Sequence, residues 1–349
     1  MEKKTVAVIF GGRSPEYEVS LKSGYSIIKA IDREKYNLVL LGITRQGRWY
    51  RYSGNVEDIP EDKWHTDESF LKNAAILPSY GGGMLEFEGN RAWPVQVDVV
   101  FPVLHGKCGE DGTVQGLCEL AGLPVVGSGS AASALCMDKD RAHKLVKLAG
   151  IRVPESVCFE FTPTDTDLLS ATEGLRYPLF VKPVKTGSSI GISKIESRRE
   201  LQNAVKMAFE FDNAVIIEEN IDGFEVGCAV VGNIELKAGR IDEIELVHGF
   251  FDYEEKYTLK TSKIHMPARI DAETEARLQE TAKVIYRLLG CRGYARVDLF
   301  LTRENDIVFN EVNTIPGFTL HSRFPSMMKG VGVEYPELVD TLIGLSMAR

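Results

Sequence analysis

Residues 293–301, GYARVDLFL, alternate so regularly that an extended strand is the structure they favour. Tyr294, Arg296 and Asp298 fall on one face, and Ala295, Val297 and Leu299 on the other. Residues 307–313, IVFNEVN, follow the same rule, which aligns Phe309, Glu311 and Asn313. As antiparallel neighbours the two segments bring Asp298, Glu311 and Asn313 together. Two carboxylates and an amide oxygen suit a hard cation such as magnesium, which takes few protein oxygens and completes its octahedron with water and phosphate. Spacing alone leaves a second reading open, that of two edge strands carrying solvated charges.

The chain has 349 residues, more than one hydrophobic core usually supports, so two or three domains are expected. An apolar run at 5–10 ends in Gly11 and Gly12, and Leu21, Tyr25, Ile28 and Ile31 then recur at helical spacing. Further strands are expected at 37–44 and 97–104, the latter stopping at the polar loop 105–112. This alternation predicts an α/β unit with a parallel sheet over 1–127, its functional loops at the carboxyl ends of the strands. A second unit, 128–217, holds a helix at 138–148 and two strands, 177–183 and 190–195, around the loop 184–189. A third, 218–349, contains the alternating pair, a helix at 272–289 and a long irregular stretch between His248 and Pro267, read as a lid.

A net charge of -9 argues against nucleic acid or an anionic membrane as partner, so any polyanion must meet local positive charge; Lys139 and Lys182 are the candidates. Either lysine read alone is equally a surface charge. No apolar run is long enough to span a bilayer, and the start is too short in apolar residues for a signal peptide, so a cytoplasmic protein is expected. Six scattered cysteines without a C-x-x-C pair read as buried free thiols, implying neither disulfides nor zinc. The loop KPVKTGSSIGIS at 182–193 is rich in small residues whose backbone N–H groups can approach phosphate closely; it is either a flap over a polyphosphate or a glycine-serine hairpin turn.

Six segments in this order resemble the D-alanine:D-alanine ligase family of the ATP-grasp superfamily, over nearly the whole chain. They are GGRSPEYEVS (11–20), HGKCGEDGTVQG (105–116), SALCMDK (133–139), the flap, FDYEEKY (251–257) and EVNTIPG (311–317). The resemblance implies an ATP-grasp fold, α/β and α+β, behind an N-terminal Rossmann-like domain. By similarity, Lys139, Lys182, Ser189 and Lys256 serve ATP, Glu218 and the strand edge after it hold the adenine, and Glu225 takes the ribose. Asp298, Glu311 and Asn313 carry two magnesium ions, with manganese as a substitute. Arg296 and the Gly317 N–H stabilise the oxyanion. Glu16 holds the ammonium of the first substrate, His105 lies in the same subsite, and Tyr257 of the lid reaches Glu16 through Ser188. Glu16 has a plainer reading as a helix-entry acid, and His105 as a loop-packing imidazole. The family is usually dimeric, so a homodimer is expected, with small-molecule substrates and neither nucleic acid nor membrane.

The second substrate is D-alanine, D-serine or D-lactate. Lys256 and Tyr257 favour an amine over D-lactate, whose relatives carry a different loop there. Phe251 stands where D-alanine ligases have tyrosine, and Arg323, after Ser322, where they have leucine or similar. Both changes resemble the D-serine-adding branch associated with vancomycin resistance. An arginine at the second subsite rewards a substrate hydroxyl directly or holds an acidic neighbour such as Asp242 that does so. The alternatives are an ordinary D-alanine:D-alanine ligase, with Arg323 in solvent and Phe251 a conservative packing change, a D-lactate ligase, an ATP-grasp enzyme with a different acyl substrate, and a non-catalytic ATP-binding paralogue.

Overall fold

A computed structural model describes residues 3–81, 83–246 and 262–348. Phe251, Lys256 and Tyr257 lie outside the described residues.

Among the described residues three sheets follow one another along the chain. The first holds β1 (Lys4–Gly11), β2 (Tyr36–Ile43), β3 (Trp49–Tyr52), β4 (Leu71–Ile76), β5 (Met84–Glu88), β6 (Arg91–Val95) and β7 (Val99–Pro102), in the order β6-β5-β4-β3-β2-β1-β7. Its β2, β1 and β7 are parallel, joined first by the crossover helix α1 (Tyr17–Ala30). The remaining strands add antiparallel ones, so the expected parallel sheet is in fact mixed. Connections such as 44–48 and 89–90 are too short for a parallel crossover. Gly11 ends β1 at φ +91°, and a Cβ there would stand 2.1 Å from the Ile43 carbonyl oxygen, so the tight turn into the 12–16 loop requires glycine.

Helices α2 (Thr113–Ala121), α3 (Ser130–Met137) and α4 (Lys139–Leu148) lead to the second sheet. That sheet holds β8 (Ser156–Phe159), β9 (Leu179–Pro183), β10 (Ser193–Ile195) and β11 (Val215–Glu219), with α5 (Asp165–Ala171) and α6 (Arg198–Ala208) packed on it. Strand β10 is shorter than the expected 190–195, because the turn extends through Gly191. The third sheet, β14-β13-β12-β15-β16, is antiparallel throughout: β12 (Gly223–Val231), β13 (Lys237–Leu246), β14 (Ser262–His265), β15 (Tyr294–Thr302) and β16 (Ile307–Asn313). Strand β14 lies inside the stretch expected to be wholly irregular. Helices α7 (Ala272–Leu288), α8 (Arg323–Lys329) and α9 (Tyr335–Met347) complete the chain.

The third sheet has two different faces. Val226, Cys228, Val230, Val297 and Leu299 pack against Leu278, Ala282 and Ile285 of α7 in a core of their own. Ala229, Val231 and Tyr294 on the other face join Val6, Phe10 and Phe101 of the first sheet and Leu338, Leu342 and Ile343 of α9. At about 1.5–3 kcal/mol for each large apolar side chain buried, this shared core binds the first and third sheets together. The second sheet keeps a separate core, built from Leu179, Val181, Leu201, Val205 and Ile217 among others.

One sequence expectation fails at a bulge. Asp298 faces Glu311 but Leu299 faces Phe309, which leaves Asn310 as an extra residue and reverses the alternation of β16 before it. Phe309 is therefore buried in the α7 core and does not share the face of Glu311 and Asn313.

Candidate active site

Four consecutive strands place Asp242, Gly227, Asp298 and Glu311 in one row as direct cross-strand partners. Arg296, paired with Asn313 in the next row, donates from Nε and Nη2 to the two Asp298 oxygens at 2.7 Å each. Asn313 Nδ2 donates to Asp298 Oδ2 at 2.9 Å. Arg323, the first residue of α8, reaches over the row. Its Nε and Nη2 donate to Asp242 at 2.7 and 2.8 Å, its Nη1 to Glu225 Oε1 at 3.3 Å, and its Nη2 lies 3.5 Å from Asp298 Oδ1. The Asp242 side chain is wholly buried and that of Arg323 is 9% exposed. Burial alone pulls a guanidinium pKa down, yet Asp242, Asp298 and Glu225 hold that of Arg323 well above its ordinary value. Arg323 does not point into solvent; it is the fixed charge at the centre of three carboxylates.

The donor set beside it fits a divalent cation. Asp298 and Glu311 are register partners on one face, with the Asn313 amide alongside. Among the described residues no three His, Cys, Asp or Glu side chains form a cage. Two carboxylates and an amide oxygen are the kind of partial shell that magnesium completes with phosphate and water.

A cleft of about 490 Å³ opens between the second and third sheets, lined by Lys139, Lys182, Glu218, Glu225, Glu311 and the flap residues 186–189. Lys139 opens α4, where Asp138 caps the helix by accepting from the Arg141 N–H. Its Nζ donates to the Thr186 carbonyl at 2.8 Å and lies 3.9 Å from Glu311 Oε2. Lys182 donates to Glu218 Oε2 at 2.5 Å. Burial works to raise the Glu218 pKa, but Lys182, His143 and Lys139 together hold it below the usual value. Glu218 Oε1 is buried without a hydrogen-bond partner, 3.6 Å from His143 Nδ1. The Glu218 side chain is thus almost wholly buried at the wall of the cleft, which the following edge, 219–222, also lines. In the flap Ser188 and Ser189 both adopt left-handed backbone, at φ +52° and +57°. Consecutive N–H groups in such a turn make a concavity suited to an anion.

Ser188 Oγ donates to Glu16, which is 8% exposed just ahead of α1, so the flap is tied to the first sheet's loop. His105 is buried between Ile315 O, 2.9 Å from Nδ1, and Ser23 Oγ, 3.4 Å from Nε2. Burial lowers its pKa, with Glu16 opposing, which favours the neutral ring. Gly317 lies beside Ser322: a Cβ on it would come within 3.3 Å of Ser322 Oγ, which accepts from the Thr319 N–H at 2.9 Å.

Two residues escaped the sequence reading. Glu110 accepts from the Gly106 N–H at 2.8 Å and the Ile315 N–H at 3.3 Å, joining the loops that carry His105 and Gly317. Burial, then Glu16, raises its pKa to about 8. Gly227 carried a signal, since glycine inside a strand marks a bulge or a close approach.

Family models of the D-Ala D-Ala ligase N-terminus and C-terminus match residues 5–128 and 145–344. The chain belongs to the D-Ala-D-Ala ligase family. It is a ligase of ATP-grasp fold, in a family that uses ATP and a divalent metal. Among relatives of this ligase, the vancomycin C-type resistance protein VanC1 of Enterococcus gallinarum is 44% identical, over 98% of both chains. A D-alanine--D-alanine ligase of Caldicellulosiruptor bescii is 41% identical, over 100% of this chain and 96% of the relative. The solved structure of the VanG D-Ala:D-Ser ligase from Enterococcus faecalis is 55% identical and superposes with a TM-score of 0.91, covering 99% of this ligase and 100% of that chain. Among the described residues no helix is long and apolar enough to cross a membrane.

Proposed function

We propose that this ligase activates D-alanine with ATP as an acyl phosphate and joins it to D-serine. The observation that carries the reading is Arg323 clamped on Asp242, a buried donor-acceptor pair where an apolar residue would offer a hydroxyl nothing. The 55% identity to the VanG D-Ala:D-Ser ligase supports it. A pocket built to bind a hydroxyl strongly rejects the analogue without one, because its own polar groups are then left unpaired.

A carboxylate resists attack by an amine until one oxygen becomes a leaving group, and a transferred γ-phosphoryl group provides that. In this reading Lys139, Lys182 and the Ser188-Ser189 turn bind phosphate, Glu218 and the 219–222 edge take the adenine, and Glu225 the ribose. Two magnesium ions held by Asp298, Glu311 and Asn313 would offset the phosphate charge. Glu16, with Ser188, pairs with the ammonium of D-alanine, while His105 walls that subsite. Arg296 and the Gly317 N–H stabilise the oxyanion formed when the D-serine amine attacks; loss of one such donor slows the reaction about 10²–10³-fold. Water must be kept from the acyl phosphate, a task for the flap and for Lys256 and Tyr257. A cytoplasmic homodimer supplying precursors for a modified peptidoglycan completes the reading, on the family resemblance.

Ordinary D-Ala-D-Ala synthesis is the second reading, favoured by the relative from Caldicellulosiruptor bescii. Competition separates the two: D-alanine and ATP with equal D-serine and D-lactate, phosphate release followed and products identified by mass. D-Ala-D-Ser should dominate. A mixture dominated by D-Ala-D-Ala sinks the proposal.

A further inference from the structure

We infer that Gly227 is a specificity-determining position, because the side chain it lacks is the space in which Arg323 sits. The inference rests on the D-serine reading for what the position selects, and on geometry alone for how it acts. Gly227 lies buried in the middle of β12, and its φ is not in the left-handed region, so the backbone itself does not demand glycine. A glycine inside a strand weakens it, and here the surroundings give the reason. An ideal Cβ at Gly227 would stand 2.4 Å from Arg323 Nη2, 2.8 Å from Asp242 Oδ1 and 2.9 Å from Met327 Cε.

An arginine tip normally swings aside, but this one has little freedom to do so. Two of its nitrogens are fixed on Asp242 and a third on Glu225. Asp242 is itself wholly buried and held by the Gly227 N–H at 3.0 Å. Met327, one turn further along α8, is also fully buried and closes the space from the helix side. A methyl group on residue 227 therefore displaces the guanidinium from between Asp242 and Asp298. The hydroxyl-binding pair is then broken although both of its charged residues remain. Gly227 is a positioning residue that works through Arg323, and the two behave as a single unit.

The test is a double-mutant cycle of Gly227→Ala, Arg323→Leu and the double variant, read in two ways. In competition between D-serine and D-alanine, Gly227→Ala and Arg323→Leu should each lower the D-Ala-D-Ser to D-Ala-D-Ala ratio about tenfold. Added to Arg323→Leu, Gly227→Ala should change the ratio less than about twofold. In thermal unfolding, Gly227→Ala should lower the midpoint of the parent by more than that of Arg323→Leu, where only the Asp242 and Met327 contacts remain to be relieved. An unchanged ratio in Gly227→Ala, or penalties that add in both readouts, overturns the inference. Should Gly227→Ala fail to fold, a folded double variant supports the inference and an unfolded one overturns it. A parent that makes no D-Ala-D-Ser defeats the earlier reading instead, and the unfolding cycle still decides the role of the glycine.

Discussion

Glu110 shows how one buried carboxyl sets a pH limit. Its folded-state pKa, about 8, lies above that of the unfolded chain, so the folded form binds the proton more tightly. The associated stability is complete below the ordinary carboxylate range and is lost as pH rises through about 8. In the metal-free protein, Glu110→Gln should match the parent in urea midpoint near pH 5 and exceed it near pH 9. Parallel pH profiles would show that Glu110 carries no such cost. At this scale the sequence was legible wherever chemistry follows from alternation: Arg296 and Asp298 share the face assigned to them. It was not legible where contact depends on a distant helix: Gly227 marks a close approach, but residues 226–231 do not say that α8 lays Arg323 over it. Nor did alternation foresee Asn310, because a bulge leaves composition unchanged and alters only register.

Among the elements, α9 does the least expected job. Its Leu338, Leu342 and Ile343 are fully buried in the core of the first sheet, and its Asp340 accepts from Tyr36 at 2.9 Å. Leu342→Ala should cost about 2–5 kcal/mol, checked by guanidinium unfolding followed in the far ultraviolet. A loss within about 0.5 kcal/mol would mean the helix is docked too loosely to matter. Long periodic helices such as α7 and continuous apolar strands such as β1 could be read directly. The strands from β3 to β6 could not. Strand β6 is an edge strand, mostly exposed and containing Pro94, so no buried face imposes a pattern on it.

At the scale of the whole molecule, the first and third sheets share a core while the second keeps its own and meets them across the cleft. A unit with its own core is built to shift as a body, and the Ser188-Glu16 hydrogen bond ties it to the first sheet. A non-hydrolysable ATP analogue with magnesium should slow amide exchange at 184–193 and 219–225 and leave α6 at the parent rate. Protection absent from the flap would refute this picture of closure. Length and alternation announced more than one core, but not which segments would share one. Sharing between residues 6–10 and 338–343 is settled by packing over more than three hundred positions of chain.

The place of the side chain that Gly227 lacks, filled by Arg323, also constrains history. An arginine arriving at position 323 while residue 227 still bore a side chain would meet an occupied seat, whereas glycine arriving first costs only some strand stability. On this geometry a lineage exchanging one nucleophile for another is expected to take glycine at 227 before arginine at 323, and one returning to the older preference to shed the arginine before refilling the strand.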